Sequence, residues 1–348
     1  MSPYVLLILA SNLGLGTTLA FGSSHWLLAW AGLEVNTLAI IPLMAERHHP
    51  RAVEAATKYF LVQVSATAMI LLATTDLAWL TGSWQMINVV TPPSGPMIFI
   101  ALALKIGLAP MHFWMPEVLQ GLDLPSGFLL STFQKLAPLV LIIQTAKGVD
   151  PWLLTTLGLL STFVGGWGGL SQTQLRKILA YSSIAHMGWM IIIVQYAPQL
   201  TLLALFVYIF MTSAAFLTLM TFNVTHLSIL AMTWSKNPTL VATAALLLLS
   251  LAGLPPLTGF TPKWLILQEL THQDLPATAT IMALTSLLTL YFYLRLCYTM
   301  TLTISPHTNN SPTPWRIKIL RASLFLALTT VAAMAFLPNT PAILMMAS

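Results

Sequence analysis

Leu104-Lys105-Ile106-Gly107-Leu108-Ala109-Pro110-Met111-His112-Phe113-Trp114-Met115-Pro116-Glu117 is an apolar segment seeded with a lysine and interrupted by glycine and proline. Part of it returns later. Gly107-Leu108-Ala109-Pro110 with Pro116 recurs as Gly253-Leu254-Pro255-Pro256 with Pro262, each matched position 146 residues further on. Trp114 falls on Phe260, both aromatic, and Glu117 falls on Lys263, so an ionisable side chain is kept although its sign is not. Paired Gly/Pro interruptions in corresponding hydrophobic segments point to broken helices around a midplane site. Membrane helices also tolerate isolated Gly and Pro, so the weight lies on matches held at one offset.

The rest of the chain has the composition such helices require. Of 348 residues, 57% are hydrophobic and 7% charged, and the mean hydropathy is +0.83. A soluble globular chain carries about 25% charged residues, because charge covers its surface. A polytopic membrane protein follows. The single cysteine, Cys297, excludes an intrachain disulfide framework and any multi-cysteine zinc or iron–sulfur site. Among the eight histidines only His48 and His49 sit close together, which gives a metal site little support. Nucleic acid is not an expected partner, since the basic residues are scattered over short loops and form no stripe. No cleavable leader is expected, because Ser2 and Pro3 lead straight into a long apolar run.

A spanning helix needs ~20 mostly apolar residues. On that ruler the chain divides into eleven crossings, at about 3–22, 26–44, 57–79, 97–116, 125–146, 151–171, 176–196, 199–222, 239–268, 277–300 and 319–337. Helices are expected throughout, because backbone groups in lipid must be satisfied internally. The longest polar connections lie near 45–56, 80–96, 223–238 and 301–318, with punctuation such as Pro92–Pro93 and Pro312–Thr313–Pro314. Sorting the basic residues by loop gives the orientation. The N-terminal side and even-numbered connections carry Arg47, Arg51, Lys58, Arg176, Lys177, Lys236, Arg316, Lys318 and Arg321, against only Lys147 on the opposite face. The positive-inside rule places the first face in the cytoplasm or mitochondrial matrix, with the N-terminus inside and the C-terminus outside. An even number of crossings would scramble this sorting.

The two Gly/Pro motifs fall in the fourth and ninth crossings, five apart, so their orientations are opposite. The expected architecture is all-α: one antiporter-like transmembrane domain over 1–348, with inverted five-helix repeats at about 1–146 and 151–300. Discontinuous helices fall near 105–117 and 251–263, and a C-terminal helix lies near 319–337.

Glu34, Lys105 and Lys135 sit near the middle of predicted crossings, and Lys263 follows the second break. Each ionisable side chain at mid-bilayer costs ~2.5–3.5 kcal/mol on insertion scales. Four together cost about 10 kcal/mol or more unless paired, hydrated or neutralised. Burial disfavours the charged form of lysine and a nearby carboxylate restores it, so a lysine held between those influences loads and releases a proton when its partner moves. Glu34 with Lys105 supplies such a switch, and Lys135 and Lys263 supply further stations. His112 and His186, with Tyr181, Ser182 and Ser183, can carry hydrogen-bonded water between stations.

Competing readings stand beside this one. Lys105, Lys135 and Glu34 also suit ion pairs that fix helix packing, and Lys263 can snorkel to an interface. Arg295, nearer a segment end, suits an anchor, while Asp76 and Glu117 suit solvated positions. The eleven tryptophans suit interface anchors and packing. The sequence contains no P-loop, no dinucleotide fingerprint, no nucleophile elbow and no HExxH. Gly165-Gly166-Trp167-Gly168-Gly169 lies in an apolar crossing, where close helix packing explains it.

Taken together, several motifs are specific. They are Trp30-Ala31-Gly32-Leu33-Glu34-Val35-Asn36, the 104–117 stretch, Gln134-Lys135, Tyr181-Ser182-Ser183-Ile184-Ala185-His186-Met187-Gly188, and Gly253 through Phe260 with Pro262-Lys263. With them the whole chain resembles the subunit 2 family of mitochondrial NADH:ubiquinone oxidoreductase, respiratory complex I. The resemblance implies a proton-pumping membrane-arm subunit with two inverted five-helix halves. Its glutamate–lysine pair would be Glu34 and Lys105, with Lys135 on the next helix and Lys263 on the second broken helix. It implies that NADH, flavin, iron–sulfur clusters and ubiquinone belong to other subunits, with no cofactor bound by this chain. Its partners would be other membrane-arm subunits and membrane lipids, cardiolipin among them, in the mitochondrial inner membrane. Many members of that family have fourteen crossings; with eleven expected here, beginning three helices later, the resemblance is to animal mitochondrial forms, in which the role of those helices would fall to partners. A secondary cation/proton antiporter and a purely structural membrane-arm scaffold stay open as alternatives.

Overall fold

The computed structural model describes residues 2–46, 49–86, 93–235, 238–301 and 323–347. Arg47, His48, Pro92, Lys236, Pro312 to Pro314, Arg316, Lys318, Arg321 and the start of the last expected crossing lie outside the described residues. The chain falls into two compact units, Met1–Ser161 and Thr162–Ser348.

The first unit contains α1 (Pro3–Gly22), α2 (Trp26–Met44), α3 (Pro50–Thr81), α4 (Ser94–Ile106), α5 (Trp114–Gly121), α6 (Leu124–Ser131) and α7 (Phe133–Thr145). Helix α8 (Pro151–Gly169) carries the sequence boundary between the units. The second unit continues with α9 (Leu175–Ile193), α10 (Pro198–Phe222), α11 (Leu227–Ala231), α12 (Pro238–Ala252), α13 (Phe260–His272), α14 (Pro276–Thr301), α15 (Ser323–Ala335) and α16 (Thr340–Ala347). Proline opens α1, α3, α8, α10, α12 and α14. That position suits it, because the first-turn N–H has no helical partner and the fixed φ is already helical. Threonine and serine hydroxyls inside the helices donate to the carbonyl three or four residues back, as at Thr67, Thr74, Ser183 and Thr285. The polar groups are thereby satisfied without a partner from outside the helix.

Among the described residues, six stretches are long and apolar enough to cross a membrane. They are Pro3–Gly22, Trp26–Met44, Pro50–Thr81, Leu124–Gly148, Pro198–Phe222 and Pro276–Thr301. Large apolar side chains lie exposed along them, including Leu61 and Leu72 on α3 and Leu284, Leu287 and Tyr291 on α14. Faces of that kind need lipid or another subunit to cover them.

Four segments differ from the sequence reading. Helix α3 runs for 32 residues from Pro50, well before 57, because His49 caps it through the Arg51 N–H and Gly82 ends it in the left-handed region at φ 69°. Its length is about 48 Å against a hydrocarbon core of about 30 Å, so its first turns stand outside. The 125–146 crossing is interrupted at Thr132, where the backbone N–H and the hydroxyl both donate to the Phe128 carbonyl (3.1 and 2.7 Å). Six residues on, Pro138 offers no N–H to the Gln134 carbonyl, which loosens the same stretch. The connection near 223–238 contains the short helix α11, and a last helix, α16, follows the C-terminal crossing.

Close packing of α1 on α2 depends on glycine. A Cβ built at Gly32 meets the Ala20 nitrogen and the Gly16 carbonyl at 2.9 Å, and one at Gly16 meets the Gly32 carbonyl at 2.8 Å. This small-residue contact replaces the hydrophobic drive that lipid removes. Gly32→Leu is therefore expected to separate the two helices, at a cost of about 1–3 kcal/mol or more. Loss of the assembled complex on native gels checks it; normal assembly contradicts the contact.

Candidate functional site

In the first unit polar side chains from four helices, α2, α3, α4 and α7, line a shared chamber. Helix α4 stops because Gly107 takes φ 83°, with its N–H turned back to the Ala103 and Leu104 carbonyls (3.0 and 3.2 Å) and that of Leu108 to Ala103 (3.0 Å). Only glycine adopts this conformation without strain. The following turn is pinned by the Trp114 indole N–H on the Leu104 carbonyl (3.1 Å) and by the Ala109 N–H on the Ser161 hydroxyl (3.0 Å). Lys105 thus occupies the last turn of a broken helix, where the carbonyl end of the helix dipole favours a cation. Lys135 sits in the first turn of α7, just after the interruption at Thr132. Both lysines are buried, at 5% and 3% exposure.

Lys105 and Lys135 line one cavity of about 10 Å³ with Asn36, Tyr59, Gln63 and Gln134. That is the smallest volume that holds a single water. The amides and the phenol around it form a chain. Tyr59 Oη donates to Gln134 Oε1 (3.3 Å), and Gln134 Nε2 donates to Asn36 Oδ1 (3.1 Å) and the Asn36 carbonyl (3.3 Å). Gln63 Nε2 reaches the Lys105 carbonyl at 3.4 Å.

Glu34, half-buried on α2, is the carboxylate whose field acts on Lys105. Glu34 Oε2 and Lys105 Nζ are both buried, and neither makes a hydrogen bond within the chain. The two charges therefore interact through space, without the direct contact of a packed ion pair. A buried charge without a hydrogen-bonded partner is costly.

In the second unit, α12 stops where Gly253 takes φ 86°, with its N–H on the Leu249 and Ser250 carbonyls (3.2 and 3.0 Å). Lys263, in the first turn of α13, reaches back so that Nζ donates to the Ala252 carbonyl at 2.8 Å. The side chain is 9% exposed and turned inward, away from a snorkelling position. A Cβ at Gly253 would meet Lys263 Nζ at 2.9 Å, so the lysine lies against bare backbone. His186 on α9 lines both cavities that Lys263 borders, and its ring lies 5.6 Å from Tyr208.

The remaining residues singled out above fall elsewhere. His112 is buried in the turn after Gly107, with Nδ1 at 3.2 Å from the Pro110 carbonyl, and is not in the lining of the Lys105–Lys135 cavity. Ser182 and Ser183 donate to the carbonyls of Leu179 and Ala180 in their own helix. The Tyr181 ring covers Gly168. Arg295 donates to the Leu170 carbonyl (2.5 Å) and to that of Gln172, capping the carbonyl end of α8 as an anchor does. Asp76 is exposed, whereas exposed Glu117 pairs with Lys58 at 2.9 Å, tying α5 to the protruding start of α3. Glu54 meets Lys58 at the same distance, one turn away. Exposed pairs of this kind contribute little to stability.

Tyr59 and Gln63 were not singled out from sequence. The available signal is their spacing, i and i+4 on α3, which places two polar side chains on one face of an apolar helix. Among the described residues no three His, Cys, Asp or Glu side chains come together as a metal site.

Comparison with known proteins adds an independent line. The model of the NADH:quinone oxidoreductase/Mrp antiporter transmembrane family matches residues 23–289, and that of the NADH dehydrogenase subunit 2 C-terminus matches 290–344. The chain is 71% identical over 344 residues to NADH-ubiquinone oxidoreductase chain 2 of Carassius auratus, covering 99% of each. It is 66% identical over 346 residues to the Danio rerio protein of the same name, again covering 99% of each. Among solved structures, a chain of respiratory complex I from Thermus thermophilus aligns with TM-score 0.86 at 29% identity, over 98% of this chain and 80% of that one. A chain of the Mrp complex from Dietzia aligns with TM-score 0.83 at 16% identity, over 97% and 76%, a likeness of fold alone.

Proposed function

The chain belongs to the NADH-ubiquinone oxidoreductase chain 2 family, and from that membership we propose that it moves protons through a relay of buried Glu34, Lys105, Lys135 and Lys263. It is a core membrane subunit of respiratory complex I, in which electron transfer from NADH to ubiquinone is coupled to proton translocation, and its partners are other subunits of that complex. The observation that carries the relay reading is the single cavity lined by Lys105 and Lys135 from two interrupted helices.

In this reading Glu34 sets the charge on Lys105. When the carboxylate acts on the ammonium, the proton is held; when that influence weakens, desolvation drives the proton off Nζ. A water in the shared cavity takes it to Lys135, and Tyr59, Gln134 and Asn36 orient that water through their hydrogen-bond chain. Lys263 acts in the second unit, with His186 beside it; His112 has a lesser part. The architecture is proposed as eleven crossings with two inverted repeats, the N-terminus on the matrix side of the inner membrane and the C-terminus in the intermembrane space. Flavin, iron–sulfur clusters, NADH and ubiquinone are assigned to other subunits, and membrane lipids, cardiolipin among them, to the exposed apolar faces.

The scaffold reading makes a different forecast. Glu34→Gln keeps size and hydrogen-bonding capacity and removes only the charge. The relay reading expects complexes that assemble yet show fewer protons translocated per NADH oxidised, or severalfold slower coupled turnover. Normal stoichiometry at a normal rate would remove Glu34 from the relay.

A further inference from the structure

The second unit holds a polar group that the relay as described leaves unused. Tyr293, on α14, is fully buried, and its hydroxyl makes no hydrogen bond of ordinary geometry within the chain. Leaving a buried hydroxyl in that state is costly, so its retention asks for a reason. The hydroxyl belongs to a residue lining a cavity of about 10 Å³ shared with Ser182, His186, Lys263 and Thr289. Ser182 and His186 are one turn apart on α9, and Thr289 and Tyr293 are one turn apart on α14, so two helix faces converge on the first turn of α13, where Lys263 sits.

The proton inventory of this cavity singles out the tyrosine. Ser182 gives its hydroxyl proton to the Leu179 carbonyl (2.8 Å), and Thr289 gives its own to the Ser286 carbonyl (2.8 Å). Those two hydroxyls offer only lone pairs to the cavity. Lys263 has one donor committed to the Ala252 carbonyl (2.8 Å), and an ammonium carries three. Tyr293 alone among these hydroxyls commits its proton to no backbone carbonyl, and the Ser182 oxygen lies near it. A buried water needs two to four polar partners and about this volume, and the cavity provides both.

We infer that Tyr293 is a positioning residue, holding a single water against Lys263 through which that lysine exchanges its proton. The inference rests on the relay reading, since it gives Lys263 a proton to exchange. The water accepts the Tyr293 hydroxyl proton in one lone pair and faces Lys263 Nζ with the other. One proton passes from Nζ to the water oxygen as the water releases one of its own along the α9 face, past Ser182 and His186. No bond to carbon changes, and no electron moves.

The test uses the assembled complex carrying Tyr293→Phe, which keeps the ring and removes only the hydroxyl, beside a second complex carrying Lys263→Met. Tyr293→Phe is expected to assemble, to lower coupled turnover roughly tenfold, below the 10²–10⁴ of a direct acid–base group, and to displace the pH profile of turnover. Packing alone would leave that profile in place. If Lys263→Met retains normal proton translocation, the relay reading falls, and the role of Tyr293 with it. If Lys263→Met abolishes coupled turnover while Tyr293→Phe keeps the wild-type rate and pH profile, the tyrosine inference alone fails. Should Tyr293→Phe not assemble, a map of the wild-type complex that resolves waters decides. Ordered water within hydrogen-bond distance of both Tyr293 Oη and Lys263 Nζ supports the inference, and a dry cavity overturns it.

Discussion

Complexes carrying Lys105→Met are expected to assemble and to lose coupled turnover by about a hundredfold or more, the usual scale for removing a proton-transferring group. The expectation comes from the way the lysine is held. Its Nζ is buried without a hydrogen bond, and its chief electrostatic partner is the Glu34 carboxylate, which it does not touch. Methionine fills nearly the same volume with apolar atoms, so the packing of α4 survives. The substitution does leave Glu34 without its counter-charge. Breaking a fully buried pair costs about 3–5 kcal/mol, and here the penalty is smaller because Glu34 is half-buried. Adding Glu34→Gln to Lys105→Met is accordingly expected to recover thermal stability without recovering proton translocation. A scaffold role demands the reverse: impaired assembly, with normal proton-to-electron stoichiometry in whatever complex survives. Thermal inactivation and proton translocation measured on the single and double variants separate the two.

Gly259→Ala is expected to abolish assembly, although it adds one methyl group. A Cβ built at Gly259 runs into the Ser250 carbonyl oxygen and falls 3.1 Å from the Met211 methyl. The first contact is with backbone, which cannot rotate away. That backbone is itself held, because Ser250 Oγ donates to the Ala333 carbonyl at 2.8 Å and Thr258 Oγ1 donates to the same oxygen. Helices α10, α12 and α15 would all have to shift to admit the methyl, and overpacking of this severity exceeds the usual 1–3 kcal/mol. The glycine here has an ordinary helical φ of −66°, so the effect is one of space, not of backbone conformation. Immunodetection of the subunit in assembled complex is the measurement; wild-type levels would refute the packing described here.

Gly107 and Gly253 show how much of the fold was legible in advance. Each ends an apolar helix followed by proline, and each takes a left-handed conformation that few other residues accept. The interruption before Lys135 was not legible, because Thr132 carries no such mark; the break appears only in its backbone, at φ −111° and ψ −74°, with its hydroxyl on the Phe128 carbonyl. The start of α3 at Pro50 was missed for a related reason. Hydropathy measures the part of a helix that lies in lipid, whereas its cap at His49 lies beyond.

The sequence by itself determined an all-helical membrane chain, two glycine–proline breaks and the identity of the ionisable residues at depth, because apolar length, glycine conformation and the cost of buried charge act locally. It did not determine company. That Lys105 shares a cavity with Lys135, Gln134 and Tyr59 was decided only when α3, α4 and α7 packed together. That Glu34 acts on Lys105 without touching it, and that Tyr293 and Lys263 line one cavity, were decided in the same way. Hydrogen bonds reach only a few ångströms and electrostatic coupling weakens with distance, and residues tens of positions apart are brought close only through tertiary packing.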